Sequence, residues 1–160
     1  MVSLKSLVIL AFAQLVVSRP SGPPAFQVTN LITLEPSGRP GNTSPYRVGF
    51  NVTDPGDSSA AFCEAQWSYA DRDTGYPKRY LSNCTDDSYA FKFVDWQSYY
   101  NFTLDVKHTT KGHHERTTKL AKGHVDLNIL HCTHAASGFS ACNQMEGVAF
   151  PLPVYDVRKS

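Results

Sequence analysis

The residues best equipped for chemistry in this chain are four cysteines, Cys63, Cys84, Cys132 and Cys142, and a run from Lys107 to His134 that holds all six histidines, at positions 108, 113, 114, 124, 131 and 134. A cysteine acts as nucleophile or metal ligand only as a thiolate. What these four can do therefore depends on the compartment. Asn83-Cys84-Thr85 states the choice, because it is a glycan-acceptor sequon with a cysteine in its middle. In a reducing compartment Cys84 is free to react and the sequon is an accident; along an oxidising route it is half of a disulfide.

The N-terminus points to the oxidising route. Lys5 precedes an apolar run from Leu7 to Val17, with small residues Val16 and Ser18 placed for cleavage, which is the pattern of a signal peptide over residues 1–18. The run is too short for a bilayer span, which takes about 20 apolar residues. The Pro-rich segment "RPSGPP" that follows would break a buried helix at once. Residues 19–26 form a Pro-rich lead-in, and 27–160 are expected to form a single β domain. Four sequons agree with secretion, at Asn42, Asn51, Asn83 and Asn101. Two lie on alternating segments whose polar side should face water: Asn51 opposes Tyr46, Val48, Phe50 and Val52, and Asn101 opposes Tyr100, Phe102, Leu104 and Val106.

Four cysteines on that route make two disulfides most simply, and the sequence leaves three connectivities open. Short loops favour Cys63 with Cys84 and Cys132 with Cys142. No cysteine then remains as a catalytic thiol.

The histidine-bearing run is also basic. Between 107 and 124, Lys107, Lys111, Arg116, Lys119 and Lys122 face only Glu115. As a metal site the histidines lack a secure tetrahedral spacing, so no metal and no cofactor is expected. The simplest reading is a solvated hairpin turning at Gly112, whose basic residues guard an edge. The functional alternative is a surface for an acidic partner, formed by Lys107, Lys111, His113, His114, Arg116, Lys119 and Lys122. Without Lys5, acidic and basic side chains balance at 14 each, so histidine protonation sets the sign of the net charge.

Other chemistry is sparse. There is no G-x-S-x-G elbow, no H-E-x-x-H pair and no phosphate-cradling glycine loop. "DRDTG" at Asp71 to Gly75 starts like a calcium loop but lacks the remaining ligands and reads as a surface turn. A small hydrolase acting on cell-wall polysaccharide would have to draw its acid and base from residues such as Glu64, Asp95 and Asp105. Asp105, however, shares the polar face of its segment with Lys107 and has no apolar cover there.

The elements that must position these groups are strands. Alternating segments at 27–34, 46–53, 62–69, 88–94, 99–108, 116–121, 124–130 and 147–155 are separated by Pro, Gly, Asn and Asp clusters. "DPGD" at Asp54 to Asp57 supplies a tight turn. Pro151 and Pro153 place the last segment at an edge or in irregular pairing. Trp67, Tyr89, Phe91, Phe93, Tyr100 and Phe102 supply the core. The expected fold is all-β: a compact antiparallel β-barrel or β-sandwich with two disulfides.

The order "YRVGFNVTD", "FCEAQW", "CTDDSYAFKF", "CTHAASGFSAC" and a terminal strand, over Thr33 to Val154, resembles the fungal secreted proteins related to the Alternaria major allergen. Its most specific pieces are Gly49-Phe50-Asn51 ahead of Cys63, the spacing from Cys84 through Ser88 and Tyr89 to Phe91 and Phe93, and Phe139 before Cys142. The resemblance implies a compact β-barrel with Cys63–Cys84 and Cys132–Cys142 disulfides. It also implies an extracellular effector or elicitor that engages host defence proteins and has no established enzymatic activity. The allergen carries a further cysteine near its mature N-terminus that joins two subunits; this chain has none between Arg19 and Phe62, so no covalent dimer is expected. The histidine run and the sequons are not part of the resemblance, and no ligand site is carried over. The expectation is a secreted, non-enzymatic binding protein whose partner is a host extracellular protein or an acidic polysaccharide, with no nucleic acid and no membrane span.

Overall fold

A computed structural model describes residues 22–112 and 115–160. The expected signal peptide at 1–18, the start of the Pro-rich segment, His113 and His114 lie outside the described residues. Two antiparallel sheets pack face to face. The first holds β1 (Phe26–Glu35), β2 (Tyr46–Asp54), β3 (Ser59–Trp67), β7 (Leu130–His134) and β8 (Ser140–Gln144) in the order β3-β2-β1-β8-β7, with β9 (Phe150–Leu152) also paired to β1. The second holds β4 (Tyr89–Ser98), β5 (Asn101–Lys111), β6 (Arg116–Val125) and β10 (Val154–Lys159) in the order β10-β6-β5-β4. The sheets do not close on each other, so the barrel implied by the resemblance is corrected to a sandwich.

Alternation explains the layering. Tyr46, Val48, Phe50 and Val52 of β2 and Phe102, Leu104 and Val106 of β5 are all buried, and their strand neighbours Arg47, Asn51, Asn101 and Thr103 lie toward water. Aromatic rings knit the two inner faces. Phe50 meets Phe91 edge-on at 5.2 Å, Trp67 meets Trp96 at 5.0 Å, and Trp67 meets Phe93 at 6.1 Å. Of the expected core aromatics, only Tyr100 remains half-buried.

The strand at 124–130 is not formed as such. β6 ends at Val125, Asp126 caps a turn by accepting from the Asn128 amide at 2.8 Å, and β7 begins at Leu130. β7 and β8 escape an alternation argument because each has five residues and few large apolar side chains; their register places Cys132 directly opposite Cys142. The segment at 147–155 divides: Pro151 sits opposite Gln27 on β9, which pairs only with β1, and the chain crosses at Pro153 into β10 of the other sheet.

A strap from Pro77 to Thr85 closes one lateral seam. Leu81 exchanges backbone hydrogen bonds with Phe91 of β4, and Phe93 donates to Pro77. On the other side, Glu64 of β3 donates to Asn83 and Thr85 donates to Phe62. The Cys63–Cys84 disulfide fastens the strap, and Cys132–Cys142 staples β7 to β8. Both edges along this seam are thereby covered.

Candidate functional site

Two sites emerge, one outside the four-stranded sheet and one between the sheets. On the outer face, pairing sets Lys92 of β4, Asp105 of β5 and Lys122 of β6 in one row, with Lys107 a step along β5. Asp105 is only 3 % exposed although it belongs to the polar face. The cover comes from elsewhere in the chain: Tyr80 of the strap donates to Asp105 Oδ1 at 2.9 Å, and Tyr155 of β10 donates to Oδ2 at 3.1 Å. Lys92 Nζ completes the shell at 3.4 Å from Oδ2. The carboxylate is thus saturated, and the expectation that Asp105 lacks cover is corrected. Burial first, then hydrogen bonding with Tyr155 and Asp105, pushes the Tyr80 phenol above its ordinary pKa, so it remains a donor.

Three lysines lie across the two rings. Lys92 and Lys107 stand 4.8 and 5.1 Å from the Tyr80 centroid, and Lys122 stands 4.9 Å from that of Tyr155. A shallow cleft of about 540 Å³ runs beside them, lined by Lys92, Asp105, Lys122, His124 and Tyr155 among others. Cations interleaved with tyrosines form a surface suited to an acidic, ring-bearing chain molecule.

The second site lies where β2, β5 and β6 meet. Asp54, at the end of β2, is fully buried, and His108 of β5 is 2 % exposed. His108 Nδ1 lies 3.0 Å from Asp54 Oδ2, and Lys119 donates to the same oxygen at 2.6 Å. The Gly56 amide donates to Oδ1 at 2.9 Å. A Cβ at residue 56 would stand 2.8 Å from Lys119 Nζ, so glycine there permits the ammonium to approach. Burial raises the Asp54 pKa, but hydrogen bonds from Lys119, His108 and Gly56 outweigh it and hold the carboxyl below its ordinary value. Beyond the imidazole, Nε2 is 3.4 Å from Ser59 Oγ, and Tyr89 stacks on the ring at a centroid distance of 4.0 Å. Ser59 Oγ also donates to Asp57 Oδ1 at 2.6 Å and lies 2.6 Å from the Tyr89 hydroxyl. Ser59 and His108 line a cleft of about 630 Å³ with Asp57, Lys107, Lys111 and Arg116.

Asp54, Asp57 and His108 could in principle offer ligand atoms to a metal, all within 4.8 Å of one another. Lys119 already supplies the cation to Asp54, so a metal ion would have to displace an ammonium held at 2.6 Å.

The sequence-derived groups are distributed as follows. Lys107, Lys111 and Arg116 reach the surface together, while Lys119 turns inward to Asp54. Lys122 joins the outer face, and Lys92, Tyr80 and Tyr155 were missed because they come from other segments. Of the described histidines, His108 is internal and His124, His131 and His134 are exposed. Of the carboxylates considered for a hydrolase, Asp95 and Asp105 line the same outer cleft, whereas Glu64 lies on the outer face of the first sheet, paired with Arg47, so the three are not brought together. Among the sequons, Asn83 is exposed and donates to Glu64 O at 2.8 Å, and Asn51 is half-buried on the outer face. Asn42 donates to Ser37 O at 2.7 Å, and Asn101 donates to Gln97 Oε1 at 3.1 Å.

No family model, no curated protein and no solved structure matches this chain. Its function is read from its own geometry.

Proposed function

We propose that this chain is a secreted binding protein that grips an acidic polymer, foremost an acidic polysaccharide, on the outer face of its four-stranded sheet. Asp105 carries the reading. A buried carboxylate that accepts from Tyr80 and Tyr155 fixes two rings whose faces are overlaid by Lys92, Lys107 and Lys122. The rings hold the ammonium groups in place, so that the charge offered to an acidic chain is ordered before a ligand arrives. Two disulfides and the N-terminal leader pattern support an extracellular setting, and among the described residues no helix is long and apolar enough to cross a membrane. Engagement of host defence proteins is proposed on the sequence resemblance alone.

The test is retention on immobilised polygalacturonate at low salt. Wild-type protein should be retained and released by added salt, and Lys92→Ala/Lys107→Ala/Lys122→Ala should elute at least several-fold earlier. A folded triple variant retained as strongly as wild type would overturn the assignment of this face, and no retention of wild type would overturn the polymer.

A further inference from the structure

The geometry points to an acyl-transfer site at the end of the sandwich, in which Ser59 is the nucleophile, His108 the base and Asp54 the positioning residue, acting on a small carboxylic ester. This goes beyond polymer binding and does not depend on it. The distances follow the order such chemistry needs: Asp54 Oδ2 to His108 Nδ1 at 3.0 Å, then His108 Nε2 to Ser59 Oγ at 3.4 Å. A carboxylate on Nδ1 leaves Nε2 to face the hydroxyl, which is the arrangement that lets imidazole accept a proton. The imidazole cannot swing away, because Tyr89 stacks flat against it on one side and Phe26 meets it edge-on at 6.1 Å. Ser58, immediately before the nucleophile, holds φ at +60°, a conformation rare for serine, as the turn delivers Ser59 to the cleft wall.

In the resting state Ser59 gives its proton to Asp57 Oδ1, whose side chain stands at the rim and is 30 % exposed. A bound ester that displaces this rim carboxylate leaves Nε2 as the acceptor. Catalytic hydrogen bonds are commonly loose before substrate binds. Ser59 Oγ then bonds to the ester carbonyl carbon and its proton passes to Nε2. The Tyr89 hydroxyl, 2.6 Å from Oγ and donating at rest to the Ser59 carbonyl at 3.2 Å, turns its proton to the developing oxyanion. Collapse breaks the bond to the alcohol, which leaves with the proton from Nε2. Water repeats the sequence on the acyl-serine and releases the acid, so that one ester and one water give one acid and one alcohol. Asp54 remains ionised throughout beside Lys119 and stabilises the imidazolium when it forms.

The experiment treats the folded, disulfide-intact protein with a fluorophosphonate and maps the adduct by peptide mass spectrometry, alongside p-nitrophenyl acetate hydrolysis. A single adduct on Ser59, with turnover reduced at least tenfold in Ser59→Ala, is expected. Asp54→Asn, where it folds, should slow labelling and turnover at least tenfold with KM unchanged. An unlabelled Ser59, or a folded Ser59→Ala that hydrolyses the ester as fast as wild type, overturns the proposal even if polygalacturonate is retained.

Discussion

His108 and Asp54 join the two sheets through one buried contact, Nδ1 to Oδ2 at 3.0 Å, with Lys119 on the same oxygen. Removing the carboxylate strands a buried imidazole and leaves a half-buried ammonium without its partner. Asp54→Ala should therefore cost about 3–5 kcal/mol. Lys119→Met keeps the Asp54–His108 bond and should cost less, about 1–3 kcal/mol. Urea midpoints of the two variants decide it, and equal midpoints would mean that Lys119 supplies all of the compensation.

The same carboxylate sets an acid limit. Its folded pKa is depressed below the unfolded value of about 3.9. The contribution is fully present above that unfolded value and is lost as pH falls through the folded pKa. Wild type should lose stability faster than Asp54→Asn between pH 4 and 2. Parallel losses in urea titrations at those two values would place the acid sensitivity elsewhere.

At alkaline pH the tyrosines take over. Burial pushes the Tyr89 phenol up to about 12, against the opposing pull of its Ser59 hydrogen bond. Burial also raises Tyr46, Tyr80 and Tyr99, with Glu35 adding to the shift at Tyr46. A raised phenol stabilises the fold fully below the unfolded pKa of about 10, and that stability is lost as pH climbs through the folded value. Absorbance at 295 nm should show a late phase that Tyr89→Phe diminishes. A single transition of the unfolded type would contradict these surroundings.

The two disulfides should not be equivalent. Cys63–Cys84 closes a span of 21 residues and fastens the strap, whereas Cys132–Cys142 spans 10 and staples a short hairpin. Loop entropy alone gives about 3 kcal/mol for either. The first should cost more when Cys63 and Cys84 become serine, because the edges of β3 and β4 lose their cover with it. Thermal melts of the two double-serine variants rank them, and a larger loss for the second pair would reverse the argument.

Much of the fold was legible because β2, β4 and β5 alternate so regularly. The continuation of that pattern also held a clue to the inner site. Asp54 extends the inward row Tyr46, Val48, Phe50, Val52 by one step, and His108 extends Phe102, Leu104, Val106 in the same way. A polar residue at the end of an apolar row signals a buried partner, and following both rows would have raised the pair. Asp105 gave no such signal. Its cover arrives from Tyr80 and Tyr155, far away in sequence, and local periodicity carries no information about which distant side chain folds over a polar face. The same limit hid β7 and β8, which a covalent staple holds where alternation is weak.

β1 lies in the middle of its sheet, between β2, made soon after it, and β8 and β9, made near the end of the chain. Its second edge cannot be paired until the C-terminal strands exist, and such distant pairings close slowly. Phe150 and Leu152, which fill the core from β9, arrive equally late. The first of the described strands is thus among the last to be completed, and its maturation in the cell must wait until β8 and β9 have been made.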